Sequence, residues 1–309
     1  MGMGIMVKNI TWSIVVTFNP VILDLERLIS QLVLQQSSVV LVNNGLHDSK
    51  LEALTSDKIF VIQLSTNQGI AKAQNEGIIF AKKNGANGVF LFDQDSRIPN
   101  EYIKTMIDTK ISEKVGMLVP RVLDLNTECY LEPRTYQRQN NRIDVDFPRE
   151  QTTVERFRRA AKPIASGSYI LMEALESVGG MREDFFIDAV DTDFSFRLIE
   201  RGYEIVQLNN VVLEHKVGNK TRKKIAGKNF FLSNHSASRR YYIGRNNIWL
   251  LKIHRKKIKG INKDVFITLG SQLLYSIFEK HSFGKVAHFF YGIISGIVLR
   301  PNKSIREIN

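Results

Sequence analysis

The sequence predicts an α/β fold with a mostly parallel central sheet flanked by helices, followed by a basic, apolar helical extension. Short runs rich in Val and Ile alternate with segments that have helical apolar spacing. Strands that alternate with helices form βαβ units, whose parallel sheet is covered on both faces. A change of composition after residue 215 marks the start of the extension. We therefore expect a catalytic domain over residues 10–215 and a second region over residues 216–309.

Each predicted element follows from local pattern. Short β-branched runs predict strands at residues 12–18, 39–42, 59–64, 89–92 and 165–172, the last with Gly167 inside it. Apolar residues spaced three and four apart predict helices over residues 25–32, 69–83, 175–180 and 194–201. The last two helices are expected to end in a glycine cap. The polar, arginine-rich residues 124–160 are expected to form loops and short edge strands over the site.

Composition excludes several classes of protein. The chain has 309 residues, 43% hydrophobic and 24% charged, which excludes a wholly disordered protein. Its single cysteine, Cys129, excludes a disulfide scaffold and a four-cysteine zinc site. The apolar part of residues 1–10 is too short for a signal peptide, and no apolar run is long enough to span a bilayer. A cytoplasmic location is the expectation.

Charge is divided unevenly along the chain. Residues 216–309 hold 20 Lys and Arg against 3 acidic residues, whereas residues 1–215 hold 23 against 28, so the two parts carry +17 and −5. Such a basic region is typical of proteins that bind nucleic acid, anionic lipid or phosphorylated substrates. Within it, residues 265–299 are apolar and aromatic. They suit either a membrane interface or a helical subdomain packed on the core.

Two motifs follow predicted strands. Asp93 and Asp95 come directly after the strand at residues 89–92. Ligands of parallel sheets bind at the carboxyl ends of strands, and two carboxylates there can hold Mg²⁺ or Mn²⁺; two solvated turn residues are the alternative. Asn67 stands at the glycine-containing entry to a helix, where free backbone N–H groups can meet a ligand oxygen. The alternative for Asn67 is a helix N-cap.

Acidic residues also cluster at the start of the helix predicted at residues 194–201. Asp193 is spaced to pair with Arg197 one turn later, a structural role. Asp191 is then the freer carboxylate and a candidate general base; compensation of the helix dipole is the alternative. His215 ends an apolar run just before the basic region, and it is either a surface or structural histidine or a ligand of metal or diphosphate.

The order of these motifs resembles the inverting GT-A glycosyltransferases of family 2, over about residues 12–250. The series runs Thr-Phe-Asn-Pro, Val-Asn-Asn-Gly, Asn-x-Gly-Ile-Ala, Asp-Gln-Asp, Ser-Gly-Ser, Phe-Phe-Ile-Asp-x-Val-Asp-x-Asp and His-x-x-Gly. The Phe-Phe-Ile-Asp-x-Val-Asp and Arg-x-Tyr-Tyr-x-x-Arg-Asn stretches look most like bacterial rhamnosyltransferases of O-antigen and capsule assembly.

The resemblance implies a role for each matching residue. Donor nucleotide contacts would come from Thr17, Asn43, Asn67, Asp93 and Gln94. The metal, Mg²⁺ or Mn²⁺, would be bound by Asp93, Asp95 and His215. Asp191 would be the catalytic base, and the acceptor side would be lined by Ser166, Gly167, Ser168 and Asp188. The family often has an Asp in the turn after the second strand, where that Asp reads the nucleotide base, whereas this sequence has Asn43-Asn44. Asparagine can still donate a hydrogen bond to a uracil or thymine carbonyl oxygen.

The implied reaction is a single displacement with inversion, moving L-rhamnose from dTDP-β-L-rhamnose to a saccharide on a polyprenyl diphosphate. The enzyme would work at the inner face of the cell membrane, docked through its basic C-terminal region. A different UDP-, GDP- or dTDP-sugar donor is the alternative. A nucleic-acid-binding protein that uses residues 216–259 is a rival of another class, although no recognised nucleic-acid module is visible and no nucleic acid is expected as a partner.

Overall fold

The computed structural model describes residues 11–109, 112–139, 142–146, 155–218, 220–225 and 228–308. Residues 1–10, where no signal peptide is expected, lie outside this range. The strands are β1 (Thr11–Thr17), β2 (Ser37–Asn43), β3 (Ile59–Gln63), β4 (Gly88–Asp93), β5 (Val115–Asp124), β6 (Cys129–Leu131), β7 (Thr135–Gln139), β8 (Arg142–Asp146), β9 (Phe157–Arg159), β10 (Ser168–Leu171), β11 (Glu204–His215), β12 (Thr221–Ile225), β13 (Lys228–Leu232) and β14 (Ile258–Lys259). The α-helices are α1 (Ile22–Leu34), α2 (Ser49–Glu52), α3 (Ile70–Lys83), α4 (Tyr102–Asp108), α5 (Met172–Val178), α6 (Val190–Arg201), α7 (Ala237–His254), α8 (Ile261–Phe278) and α9 (Ser282–Val298).

The main sheet places the predicted polar strand ends side by side. Its strand order is β3-β2-β1-β4-β10-β5-β11-β9, with β6 paired to β5. Strands β3, β2, β1 and β4 are all parallel, as predicted, whereas β10 lies antiparallel between β4 and β5. Thr17 is in register with Asn43, and Val16 is in register with Asp93. The carboxyl ends of β1, β2 and β4 therefore meet at one edge.

Several predicted boundaries need correction. Gly167 is not inside a strand, because β10 begins at Ser168. Gly167 instead has a φ of +80°, and a Cβ there would lie 2.6 Å from the Tyr102 hydroxyl, so the turn into β10 requires glycine. Helices α5 and α6 begin earlier than predicted. Helix α6 ends where expected, with Gly202 as its cap, whereas α5 ends at Val178 with Gly179 as its cap, one residue before the predicted Gly180.

The arginine-rich segment forms short edge strands in its described part, as predicted, but none of its described residues lines the cavity at the strand ends. Strands β7 and β8 form a small separate sheet with β14, and β9 lies at the end of the main sheet beside β11.

The C-terminal helices pack on the body and on each other through glycines. A Cβ on Gly244 would lie 2.5 Å from the Phe289 carbonyl oxygen, and one on Gly296 would lie 2.8 Å from the Arg245 carbonyl oxygen, so α7 and α9 approach backbone to backbone. Trp249 and Phe289 belong to the same buried apolar cluster as the sheet. Within the described ranges, no helix combines the length and apolarity needed to cross a bilayer.

A buried carboxylate joins helix α6 to helix α7. Asp193 accepts hydrogen bonds from Arg182 Nε at 3.1 Å and Arg197 Nε at 2.9 Å, and His254 Nε2 lies 3.1 Å away. The predicted pairing of Asp193 with Arg197 is therefore confirmed. His254 Nδ1 lies 2.7 Å from Glu200 Oε1. Burial opposes ionisation of Asp193, yet Arg197, His254 and Arg182 hold its pKa well below the usual range. Burial lowers the pKa of His254, but Asp193 and Glu200 outweigh it and raise that pKa.

We expect this cluster to make stability depend on pH. Because the folded-state pKa of His254 is raised, its stabilising contribution is complete below the usual histidine pKa of about 6.5 and is lost as pH rises through the folded-state value. His254→Gln should lower the free energy of unfolding by about 1–3 kcal/mol under mildly acidic conditions and flatten the decline with pH. Chemical denaturation at a series of pH values measures both.

His288→Gln is the matched control, since His288 is exposed on α9. The same pH dependence in the wild type and in His254→Gln would show that the imidazole does not stabilise the fold in this way.

Candidate active site

A cavity of about 480 Å³ lies at the carboxyl ends of β1, β4 and β11. Separate segments of the chain contribute its wall, as expected for a ligand site at this edge of a parallel sheet. Nine residues singled out from the sequence line it: Thr17, Asn67, Asp93, Gln94, Asp95, Ser166, Asp188, Asp191 and His215. The fold therefore brings most of the predicted site together, while the role of each residue stays a prediction.

Asn43 is a correction, because its side chain does not line the cavity and instead forms hydrogen bonds with β3 and with its own turn. Its amide donates to Gln63 Oε1 at 2.7 Å, and its Oδ1 accepts from the Gly45 backbone N–H at 3.1 Å. Asn44 lines the cavity in its place and donates from Nδ2 to Asn67 Oδ1 at 3.2 Å. The sequence indicated the right turn, but only the turn geometry decides which of two adjacent asparagines faces the cavity.

Gly167 and Ser168 are also corrections, since neither lines the cavity. The left-handed backbone of Gly167 turns the chain away into β10, where Ser168 is buried and donates to the Ala165 carbonyl oxygen at 2.6 Å. Ser166 does line the cavity, and its hydroxyl accepts a hydrogen bond from the Asp93 backbone N–H at 3.1 Å. Ser166 thus helps to hold the turn that carries Asp93 and Asp95 in place.

The cavity wall includes an aromatic ring that was not singled out from the sequence. Phe18 lines the cavity beside Thr17 and is about half exposed. Gln94 holds this segment in place, because its Oε1 accepts from the Phe18 backbone N–H at 2.8 Å. The exposed ring offers an apolar face to a planar base.

His215 lies between the two aspartates of the Asp-x-Asp turn. Its Nε2 is 3.3 Å from Asp93 Oδ2, and its Nδ1 is 3.2 Å from Asp95 Oδ1. The buried Nδ1 faces Asp95, whose hydrogen-bonding contact and negative charge both favour the protonated ring. Burial lowers the pKa of His215, but the two carboxylates outweigh it and raise that pKa. Burial raises the pKa of Asp93, and Asp95 adds to the rise although His215 opposes it.

This corner suits a divalent cation whose remaining ligands come from a substrate. Two carboxylates are ligands that Mg²⁺ and Mn²⁺ accept, and a ring nitrogen of neutral His215 can be a third ligand atom. In the described part of the chain, however, no group of three or more His, Cys, Asp or Glu side chains is arranged to hold a metal ion by itself. A diphosphate would supply the missing oxygen ligands.

Asp191 and Asp193 lie two residues apart but in opposite environments. Asp193 is sealed in the ion cluster described above, whereas Asp191 lines the cavity. Asp191 Oδ1 accepts a hydrogen bond from the Thr192 backbone N–H at 2.8 Å, and no salt bridge to Asp191 is present among the described residues. Burial raises the pKa of Asp191 to about 6. A carboxylate with such a pKa can accept a proton near neutral pH.

Two cations in the cavity wall were not singled out from the sequence. Arg239 at the start of α7 donates to both oxygens of Asp188, at 2.9 and 3.0 Å, and Lys216 follows His215. Asp188 raises the pKa of Arg239 against the effect of burial. The sequence shows a basic stretch at residues 239–245, but only the orientation of α7 decides which of its arginines enters the cavity.

Known proteins share both the sequence pattern and the fold. Residues 13–178 match the family model "Glycosyl transferase family 2". The chain is 33% identical over 265 residues to dTDP-rhamnosyl transferase RfbF of Shigella flexneri. The matched region covers 85% of this chain and 87% of that protein.

Two solved structures share the fold at low sequence identity. GalNAc-T7 with UDP, GalNAc and Mn²⁺ matches with a TM-score of 0.57 and 12% identity, over 92% of this chain and 56% of that longer chain. Residues 1–349 of Staphylococcus aureus TarS in complex with UDP match with a TM-score of 0.50 and 15% identity, over 93% and 90%. At these identities the likeness shows the fold alone. The chain therefore belongs to glycosyl transferase family 2 and is a glycosyltransferase with the GT-A fold.

Proposed function

We propose that the enzyme transfers L-rhamnose, with inversion, from dTDP-β-L-rhamnose to a hydroxyl of a lipid-linked saccharide during assembly of a cell-surface polysaccharide. The donor is supported by the likeness to dTDP-rhamnosyl transferase RfbF over most of both chains. The reaction type rests on one observation above all: the free carboxylate of Asp191 lines the same cavity as Asp93 and Asp95. Another UDP-, GDP- or dTDP-sugar donor is the alternative, since the UDP-bound relatives share the fold.

The donor would lie along the edge formed by β1 and β4. Asn44, Asn67 and Phe18 would provide hydrogen-bonding groups and an aromatic face for the nucleoside. Asp93, Asp95 and His215 would hold Mg²⁺ or Mn²⁺, and the cation would stabilise negative charge on the leaving diphosphate. Arg239 and Lys216 add positive charge to the same wall.

Asp191 acts as the base in this proposal. Its ionised carboxylate takes the proton of the acceptor hydroxyl while that oxygen forms a bond to the anomeric carbon. The bond from the anomeric carbon to the diphosphate oxygen breaks, and its electron pair leaves with dTDP. Attack on the face opposite the leaving group inverts the configuration, so a β-linked donor yields an α-rhamnoside.

Docking at an anionic membrane is the proposed means of reaching a lipid-linked acceptor. Phe283, Phe290, Ile294 and Ile297 form an exposed apolar stripe along α9, and Phe266, Leu274 and Ile277 form another along α8. Exposed cations such as Arg300 flank them. An apolar helix face beside basic residues is typical of reversible binding to an anionic membrane interface.

A nucleic-acid-binding function is not favoured. The stretch that suggested it owes its interleaved cations and rings to internal packing, because Arg240 is fully buried and Arg245 stacks on Trp249 with 4.1 Å between the guanidinium carbon and the ring centroid. These arginines are unavailable to a phosphate backbone.

We expect Asp191→Asn to reduce transfer by about 100- to 10,000-fold, because the amide cannot accept the proton. Binding of dTDP, measured by calorimetry, should stay within about twofold of the wild type. In the wild type, kcat/KM should fall as pH drops below about 6, where Asp191 becomes protonated. Near-normal turnover by Asp191→Asn would refute the assignment of the base.

Asp95→Ala should abolish the metal-dependent part of nucleotide binding. Calorimetry of dTDP in the presence of Mn²⁺ should give affinity at least about tenfold below the wild type, because one carboxylate ligand is lost. Without metal, the two proteins should bind dTDP equally, which serves as the control. Equal affinity with Mn²⁺ would exclude Asp95 as a ligand.

The membrane proposal predicts that Phe290→Ser, Ile294→Ser and Ile297→Ser together release the enzyme from vesicles that contain phosphatidylglycerol. Leu23→Ser, Leu34→Ser and Leu46→Ser together form the matched control, since these leucines are at least as exposed but lie far along the chain from α8 and α9. Co-sedimentation measures binding. The proposal fails if the wild type stays in the supernatant or if the α9 variant still sediments with the vesicles.

A further inference from the structure

The segment that leads into helix α6 has a strained backbone. Phe186, Asp188 and Ala189 have φ values of +64°, +65° and +61°, which residues with a Cβ rarely adopt. Phe186 also has ψ −64°, and the Ile187 N–H donates to the Phe185 carbonyl oxygen at 2.7 Å. This is a γ-turn with positive φ at its centre, a rare and strained conformation. We call residues 186–189 the strained turn.

Strain of this kind persists only where the surrounding structure holds it. Asn246 of α7 is fully buried, and its side-chain amide donates to the carbonyl oxygens of Phe185, Ile187 and Asp188 at 2.9, 2.8 and 2.9 Å. A single side chain thus bonds the backbone on both sides of the γ-turn.

Arg245, the residue before Asn246, holds the start of the same segment. Its guanidinium donates to the Asp184 carbonyl oxygen at 2.6 Å and to the Phe185 carbonyl oxygen at 3.3 Å. The guanidinium carbon lies 4.8 Å from the centre of the Tyr242 ring, which in turn stacks on Phe186 with 4.9 Å between ring centroids. The side chains of α7 therefore contact the strained turn through both its backbone and its ring.

The other side of the strained turn contacts the entry to α3, which lines the cavity. The Phe186 carbonyl oxygen accepts from the Ile70 N–H at 2.8 Å, at the start of α3. A Cβ on Gly69 would lie 2.5 Å from that same oxygen, so glycine is required for this approach. Displacement of the strained turn would change both the position of α6 and the entry to α3.

We propose that Asn246 and Arg245 are positioning residues that hold the strained turn so that Asp191 faces the cavity. Asp188 lies in the strained turn, and Ala189 is the residue from which α6 starts, two positions before Asp191. The basic helix α7 is then part of the catalytic machinery rather than only a link to the membrane. The inference rests on the proposed role of Asp191, so its test includes a measurement that does not need activity.

The test compares Asn246→Ala with Asn247→Ala. Asn247 is a buried neighbour on the same helix whose Nδ2 donates to the Ile243 carbonyl oxygen within α7, so it matches Asn246 in type and burial. We expect Asn246→Ala to lower kcat by about a hundredfold, as displacement of a catalytic group by about an ångström can do, with little change in donor KM. Asn247→Ala should retain most of the activity.

Two further readouts separate positioning from a general loss of structure. Hydrogen exchange of a peptide over residues 184–192 should accelerate in Asn246→Ala and not in Asn247→Ala. The apparent pKa on the acid side of the pH profile of kcat/KM should also be lower in Asn246→Ala than in the wild type. A displaced Asp191 is more exposed to solvent and loses the burial that raises its pKa.

Each outcome is decisive. Equal exchange and equal kcat in the two variants would overturn the positioning role. Loss of kcat in both, with equal loss of thermal stability, would show that Asn246 serves only the packing of α7. If the wild type transfers no rhamnose, the proposed donor fails, but faster exchange confined to Asn246→Ala would still support the hold on the strained turn.

Discussion

The buried carboxylate of Asp193 is the interaction on which the arrangement of the active site depends. It has no exposed surface, and two arginines and a histidine from separate segments converge on it. A buried charge is tolerated only when it is paired in this way, and removal of one partner leaves the others uncompensated. The cluster therefore fixes the first turn of α6 relative to both the segment that carries Arg182 and helix α7. The cluster also fixes the position of the Asp191 backbone, because Asp191 lies on the same first turn of α6.

Asp191 and Asp193 lie on one helical turn, but their surroundings shift their pKa values in opposite directions. Three cationic side chains hold the pKa of Asp193 well below its usual range. Burial without a salt-bridge partner raises the pKa of Asp191 to about 6. One carboxylate is consequently a permanent anion that organises the structure. The other can exchange a proton near neutral pH, which is the property that a general base needs.

Only part of the positive charge of the C-terminal region, +17 in total, lies on its surface. Arg239 enters the cavity, Arg240 pairs with Glu279 where both are fully buried, and Arg245 contacts the backbone before α6. Part of the positive charge is thus internal and serves folding and the active site. The exposed apolar stripes of α8 and α9 remain as surface features. The proposed boundary at residue 215 separates charge more clearly than it separates function, because the cavity draws residues from both sides.

The sequence by itself determined the alternation of strands and helices, the polar residues at the strand ends and the pairing of Asp193 with Arg197, because these depend on local periodicity and short spacing. It also carried the family resemblance and nine of the residues that line the cavity. Only the tertiary structure decided that Asn44 rather than Asn43 faces the cavity, that Gly167 and Ser168 turn away from it, and that Arg239 enters it. The first two outcomes depend on the backbone geometry of single turns. The third depends on how α7 packs in the folded chain, through contacts between residues far apart in sequence. Local sequence patterns record neither.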